Sequence, residues 1–138
     1  YFIQYPLIKD YMDSAIEKAR KQGYVETILG RKRYLRDINS QNQTVRGFAE
    51  RNAINAPIQG SAADMIKVAM INIHDALRKK KLRSKMVLQV HDELVFDVHR
   101  DELEETKALV KELMENALPL TVPVLVESGT GLNWLEAH

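Results

Sequence analysis

Residues 86–96 read Met-Val-Leu-Gln-Val-His-Asp-Glu-Leu-Val-Phe, and this stretch decides the fold that the sequence predicts. Apolar and β-branched side chains dominate both sides of His91, Asp92 and Glu93, which is typical of two strands joined by a short reversal. A tight hairpin turn favours glycine or asparagine, because its central residues often need a positive φ. Here Asp92-Glu93 is the predicted tip, so two neighbouring carboxylates stand where glycine would be easier. Paired carboxylates on a rigid hairpin suit Mg²⁺ or Mn²⁺ and phosphate chemistry, although a solvated acidic turn has the same pattern.

The composition indicates one domain with a core of its own, because 45% of the 138 residues are hydrophobic. No run reaches the roughly 20 apolar residues of a membrane span, so we expect no membrane partner. Residues 1–6 lack the pattern of a signal peptide and begin abruptly without methionine, which we interpret as a fragment of a longer chain. The absence of cysteine excludes disulfides and thiolate metal sites.

The net charge is only +1, but the charges are unevenly distributed. Basic residues dominate residues 17–36, and every charge in residues 78–85 is positive. Acidic residues dominate from Asp92 to Glu127. This segregation of charge indicates that one surface of the protein faces a polyanion. For any single run of basic residues, the alternative interpretation is a helix end exposed to solvent.

The spacing of apolar residues in the first half predicts a helix over residues 6–22 that ends at Gly23. A short hairpin over residues 24–35 should turn at Gly30-Arg31, and a loop should follow over residues 37–44. Thr44 is expected to cap a helix that reaches about Ala53. Pro57 is then expected to interrupt or restart the helical pattern.

The second half predicts a long helix from about Pro57 to Lys79, with Ser61–Asp64 resembling a capping box near its start. Its expected buried stripe is Ala62, Met65, Ile66, Ala69, Ile73, Ala76 and Leu77. After the hairpin, Asp101 should cap a helix to about Asn116. Residues 122–126 should form an edge strand, since Pro123 cannot donate to a ladder. The predicted class is α+β, with an antiparallel sheet of hairpin and C-terminal edge strand packed against helices.

Arg51, Asn55 and Gln59 are four residues apart, so a continuous helix would place them on one face with about 40° of drift per step. Such a row of donors could contact the acceptors that every base pair presents in the minor groove. A polar helix face in water is the alternative interpretation, and Pro57 puts the continuity of the face in doubt.

Taken together, four segments resemble the C-terminal part of bacterial family A DNA polymerases. Residues 89–94 (Gln-Val-His-Asp-Glu-Leu) are similar to the family's motif C, and residues 51–64 are similar to the helix that precedes it. Residues 23–35 resemble the hairpin at the end of the fingers, and residues 131–138 resemble the family's C-terminus. Arg36 departs from the family pattern, which often has proline there. The resemblance covers essentially the whole chain in the right order. It implies a C-terminal remnant of the fingers over residues 1–50 and the C-terminal part of the palm over residues 51–138.

The resemblance also implies roles. Asp92 would be a ligand of two catalytic Mg²⁺ or Mn²⁺ ions, Glu93 a supporting carboxylate, and His91 a neighbour of the primer end. The row on the predicted helix, Arg51, Asn55 and Gln59, would contact primer-template DNA. The implied activity is that of a DNA-directed DNA polymerase in replication and repair, adding a dNTP to a primer 3′-hydroxyl in the bacterial cytoplasm at the nucleoid.

Two parts of the family pattern have no counterpart in this sequence. The metal-binding Asp-Tyr-Ser motif is absent, since Asp10-Tyr11 lies in a predicted helix and in the wrong order, and the nucleotide-binding fingers helix is absent too. The isolated chain is therefore expected to be inactive without the N-terminal part of the same polymerase, and to expose surfaces that favour self-association. A non-catalytic nucleic-acid-binding module is the alternative. A metal-dependent nuclease is less favoured, because no second acidic motif has a suitable context.

Overall fold

The computed structural model describes every residue from Tyr1 to His138. It divides into two compact units, residues 1–64 and residues 65–138. Each unit contains one two-stranded antiparallel sheet together with helices, so the predicted α+β class is confirmed. None of the helices combines the length and the apolar character needed to cross a membrane.

The first unit begins with helix α1, Pro6–Gln22, as predicted. Gly23 ends the helix in the left-handed conformation (φ 81°), and its N–H donates to the Ala19 carbonyl at 2.7 Å. Strands β1 (Tyr24–Glu26) and β2 (Lys32–Tyr34) follow and pair antiparallel, joined by a turn over residues 27–31. The first predicted helix and hairpin are therefore confirmed.

Helix α2 runs without a break from Gln43 to Lys79, so the prediction that Pro57 interrupts it is wrong. An internal proline costs a helix about 3 kcal/mol, and tertiary context can outweigh such a local cost. The Tyr11 hydroxyl donates to the Ile54 carbonyl at 2.9 Å, close to the proline. The predicted cap Thr44 is also wrong, because the Asn42 side chain accepts from the Thr44 N–H at 3.0 Å.

The core of the first unit is built largely from alanines, which α1 and α2 contribute. Its buried members are Ala19, Val25, Leu35, Ile38, Ala49, Ala53 and Ala56. Polar contacts join the same elements at the surface, where the Arg20 guanidinium pairs with Glu50. Ala53 and Ala56 both lie within the turn of α2 that precedes Pro57, so this core packs against the helix close to the proline.

The second unit contains the C-terminal part of α2 and strands β3 (Lys85–Val90) and β4 (Glu93–Asp97), which pair antiparallel with an irregularity between Met86 and Leu88. A 3-10 turn, Arg100–Glu102, leads into helix α3, Leu103–Glu115. The predicted cap Asp101 is wrong, because the His99 side chain accepts from the Asp101 N–H instead. The chain ends in the short helix α4, Trp134–Ala137.

The core of the second unit consists of Ala69, Ile73, Leu77, Leu109 and Ala117. The predicted stripe of α2 is buried or half-buried except at Ala62, which is exposed. The predicted edge strand over residues 122–126 is wrong, because β3 and β4 pair only with each other. Pro123 offers no N–H, and the Val126 N–H donates to the Glu115 carboxylate at 3.3 Å rather than to a strand.

Candidate functional site

The reversal between β3 and β4 is a two-residue loop formed by His91 and Asp92. Glu93 is the first residue of β4 and pairs with Val90, so the predicted Asp92-Glu93 tip is displaced by one residue. His91 adopts φ 54°, which a residue with a side chain rarely does. The Gln89 side chain donates to the His91 carbonyl at 3.2 Å and supports this conformation.

Asp92 and Glu93 have different surroundings although they are neighbours. The Asp92 side chain is exposed and makes no hydrogen bond or ion pair within the chain. The Glu93 carboxylate lies 3.0 Å from Nε2 of His138, and both side chains are about half exposed. Sequence reasoning missed this partner, because no local pattern relates residues so far apart in the chain.

The chain brings no three His, Cys, Asp or Glu residues together in a way that could hold a metal ion. Within the His91-Asp92 loop, the Asp92 carboxylate has the chemistry of a ligand for Mg²⁺ or Mn²⁺, since its oxygens are hard donors and are not otherwise engaged. The loop therefore supplies one ligand for a divalent cation, and the chain does not bring together enough further ligands to complete the site.

The base of the hairpin is fixed by the Glu102 carboxylate. It accepts from the N–H groups of Arg83 and Ser84, each at 2.9 Å, and from the Ser84 hydroxyl at 2.8 Å. These bonds, led by the one from the Arg83 N–H, hold the pKa of Glu102 below its usual 4.5 although burial raises it. The anchored base and the ladder give the His91-Asp92 loop a rigid support.

The row Arg51, Asn55 and Gln59 lies in the first unit, on α2. All three side chains are exposed, and none of them makes a hydrogen bond within the chain. Because α2 is continuous, the three share one face and span about 12 Å along the helix. Arg51 stacks over the Phe48 ring with its guanidinium carbon 5.8 Å from the ring centre. The row is therefore a preformed set of free hydrogen-bonding groups.

Beside this row, the β1–β2 hairpin and α2 enclose a cleft of about 160 Å³. Arg31, Lys32, Arg33, Pro57 and Gln59 are among the residues that line it. Its lining contains three basic residues and one acidic residue, Glu26, so the excess of positive charge favours anions over cations. Sequence reasoning noted the positive charge of this region but could not place it next to Gln59.

Asp64 holds the β1–β2 turn against α2 and is only 2% exposed. Its carboxylate accepts from the Leu29 N–H at 3.3 Å and pairs with the Arg31 guanidinium. The Thr27 hydroxyl, followed by Arg31 and Leu29, keeps the pKa of Asp64 below its usual 3.8 despite burial. The chain thus satisfies a buried charge with three partners from one turn.

The predicted capping box over Ser61–Asp64 is wrong, because both residues lie well inside α2. The Ser61 hydroxyl accepts from the Ile28 N–H at 2.8 Å, so it also binds the turn. Gly60 completes the contact, since a Cβ there would lie 2.4 Å from Cγ2 of Thr27. Residues 60–64 are therefore a docking segment for the turn and not a helix start.

Comparison with known proteins gives consistent results. DNA polymerase I of Lactococcus lactis subsp. cremoris is 55% identical over 137 residues, which are 99% of this chain and 16% of that protein. DNA polymerase I of Mycobacterium tuberculosis is 52% identical over 134 residues, 97% of this chain and 15% of that protein. The POL domain of Pol1 from M. smegmatis, solved in complex with DNA primer-template and dNTP, matches with a TM-score of 0.96 and 52% identity.

The solved Pol1 match covers 99% of this chain and 24% of the other chain. This chain spans about 16% of the length of the curated relatives that it matches. The sequence model of the family described as DNA polymerase family A matches residues 1–136. The chain therefore belongs to DNA polymerase family A.

Proposed function

We propose that the chain forms part of a DNA-directed DNA polymerase that adds a dNTP to the 3′-hydroxyl of a primer under the direction of a template. The observation that carries the proposal is the β3–β4 loop, where the unpaired Asp92 carboxylate stands on an anchored hairpin in a chain of this family. The solved relative that contains primer-template and dNTP supports the same partners for this chain. Replication and repair are the processes that such an activity serves.

Family A polymerases use divalent metal ions, and we propose which residues of this chain would bind them and which would lie beside them. Asp92 would bind two Mg²⁺ or Mn²⁺ ions, with further ligands from outside these residues. Bound there, the ions would activate the primer hydroxyl and stabilise charge on the leaving pyrophosphate. His91 would lie beside the primer end, and Glu93, whose carboxylate lies 3.0 Å from Nε2 of His138, would be a supporting carboxylate.

Arg51, Asn55 and Gln59 are proposed to bind the minor-groove side of the newest base pairs. Their exposure and freedom from internal hydrogen bonds support this role. Purine N3 and pyrimidine O2 accept hydrogen bonds in every base pair, so amide and guanidinium donors can contact a correct pair without reading its sequence. Polymerases need this kind of contact, because they must act on every sequence.

We further propose that residues 1–50 belong to the fingers and residues 51–138 to the palm. The isolated chain should not extend primers, because its single free carboxylate at the loop cannot hold two ions and the remaining N-terminal part of the polymerase must supply the rest. Isolated, it should self-associate through exposed apolar residues such as Ile3 and Leu7. The proposed location is the bacterial cytoplasm, at the nucleoid.

Primer extension by a full-length polymerase tests the proposal. That polymerase is either the natural full-length protein that contains these residues, or the Lactococcus relative in which the matching segment has been replaced by residues 1–138. Asp92→Ala should abolish extension, whereas Asp75→Ala should not, since Asp75 is an exposed carboxylate on α2 without partners. Near-normal extension by the Asp92→Ala variant would overturn the assignment.

A non-catalytic nucleic-acid-binding module is the second candidate, and the exposed row on α2 favours it. Such a module would bind duplex DNA through its basic residues and would leave extension independent of Asp92. Binding that rests on Lys and Arg should weaken steeply as salt increases. A full-length polymerase that binds DNA but shows no Asp92-dependent extension would support the module.

A further inference from the structure

The contact between Glu93 and His138 joins the hairpin to the last segment of the second unit. Nε2 of His138 lies 3.0 Å from Oε1 of Glu93, and both side chains are about half exposed. Glu93 has no other ion pair within the chain. Its neighbour Asp92 has none, so one of two adjacent carboxylates is engaged and the other is free.

The segment that carries His138 is folded back on itself, and this restricts the positions that the His138 imidazole can occupy. Asn133 caps α4 by accepting from the Glu136 N–H at 2.9 Å, and the Glu136 carboxylate accepts from the Leu132 N–H at 3.0 Å. The His138 ring lies 5.6 Å from the Trp134 ring. These contacts reduce the conformational freedom that His138 would have at the end of an unstructured tail.

Two glycines make this fold possible by allowing close approach of the backbone. A Cβ at Gly129 would lie 2.0 Å from the Ala137 carbonyl oxygen. A Cβ at Gly131 would lie 2.6 Å from Cβ of Glu136 and 2.8 Å from the Ala137 nitrogen. Any larger residue at these positions would push α4, and His138 with it, away from its place.

We propose that His138 is a positioning residue that holds the Glu93 carboxylate on the side of the hairpin where α4 ends. Two neighbouring carboxylates repel each other, and an unrestrained Glu93 could turn toward the loop and compete with Asp92 for the same cation or substrate groups. With Glu93 held by His138, Asp92 is the only carboxylate at the loop with full freedom to bind. This inference rests on the proposed polymerase function. It assigns to His138 the task of keeping Glu93 apart from Asp92, so that the two carboxylates have separate roles.

Such positioning should affect the chemical step more than substrate binding, because it changes the geometry of the reacting groups. Replacing a residue that hydrogen-bonds to a metal ligand typically lowers metal affinity or activity by about 10-fold to 100-fold, and His138 acts on the residue next to the proposed ligand, which favours the lower end of that range. For His138→Ala in a full-length polymerase we therefore expect kcat to fall by about 10-fold, with KM for dNTP changed by about 2-fold at most. His138→Gln retains a polar N–H group of similar reach and should restore most of kcat.

Three further variants make the test specific. His74→Ala is the matched control, because His74 is an exposed histidine on α2 without partners, and it should match the wild type. Gly131→Ala should reproduce the loss of kcat by displacing α4 while leaving every side chain at the loop intact. In a Glu93→Gln background, His138→Ala should cause no additional loss, because His138 acts through Glu93.

A metal-free measurement checks the contact itself. Hydrogen–deuterium exchange of the full-length polymerase in EDTA should be faster over residues 129–138 in His138→Ala than in the wild type or in His74→Ala. Unchanged exchange there would overturn the inference, as would a kcat within about 2-fold of the wild type or an equal loss in His138→Gln. If Asp92→Ala abolished extension while His138→Ala had no effect, only this inference would fail. If Asp92→Ala remained active, the proposed function itself would fail.

Discussion

Replacing Gly60 with alanine tests how the β1–β2 turn is held on α2. Inside a helix alanine is favoured over glycine by about 1 kcal/mol. A Cβ at this position, however, would lie 2.4 Å from Cγ2 of Thr27, far closer than the ordinary carbon–carbon contact of about 3.5–4.0 Å. The Thr27 methyl cannot simply rotate away, because its hydroxyl accepts from the Arg31 N–H and binds Asp64.

The expected effect follows from these two opposing terms. Overpacking in a well-packed site costs about 1–3 kcal/mol, and the restrained threonine places this case near 3 kcal/mol. After the gain in helix propensity of about 1 kcal/mol, Gly60→Ala should lower the free energy of unfolding by about 2 kcal/mol. The measurement is urea unfolding of the 138-residue chain, followed by far-ultraviolet circular dichroism.

Gly47→Ala provides the matched control in the same helix. The nearest atom to a Cβ at Gly47 is Nη1 of Arg51 at 3.7 Å, an ordinary contact, so this variant should gain up to about 1 kcal/mol. Thr27→Ser removes the obstructing methyl and keeps the hydroxyl. In that background, Gly60→Ala should no longer be destabilising. If Gly60→Ala were as stable as Gly47→Ala, the account of the turn as a tightly docked element would be refuted.

Three other predictions test the core, the hydrogen-bonded carboxylates Asp64 and Glu102, and the α2 row. Ile73→Ala should lower the free energy of unfolding by about 2–5 kcal/mol, because Ile73 is 0% exposed, whereas Ile71→Ala, at a position 62% exposed, should change it by less than about 0.5 kcal/mol in urea unfolding. Since the pKa values of Asp64 and Glu102 are lowered on folding, the folded chain binds fewer protons than the unfolded chain. Their stabilisation should therefore be complete well above pH 4.5 and be lost as the pH falls through the lowered values. Unfolding measured against pH should show a shallower acid decline in Asp64→Asn and in Glu102→Gln. Gln59→Ala in a full-length polymerase should slow extension from matched and mismatched primer ends to different extents, and equal effects in steady-state kinetics would return Gln59 to the role of a solvated residue.

The sequence predicted the elements whose signals are local. Periodicity and Gly23 located α1, and the apolar runs around His91 located the β3–β4 hairpin, because helix ends and short hairpins depend on neighbouring residues. The α+β class followed from the order of these elements. The shared face of Arg51, Asn55 and Gln59 also followed from spacing, once α2 proved to be continuous.

The features that sequence reasoning missed depend on contacts between residues far apart in the chain. Local sequence alone predicts that Pro57 breaks the helix, whereas α2 is continuous through it, because tertiary context can outweigh a local preference. Ser61 and Asp64 match a capping pattern, yet their side chains bind the turn over residues 27–31. The pairing of Glu93 with His138 leaves no local signal at all. The tip of the hairpin was displaced by one residue because His91 accepts a positive φ that composition alone assigns to glycine or asparagine.

The central claim is that Asp92 is a carboxylate ligand at the reacting end of a primer. Single-turnover incorporation of one dNTP by a full-length polymerase tests it most directly, with Asp92→Asn as the variant, since asparagine keeps the size of the side chain and removes its charge. We expect the rate to fall by about 10³-fold or more, the equivalent of the several kcal/mol that a metal ion contributes to the transition state. A rate within about 10-fold of the wild type would contradict the account.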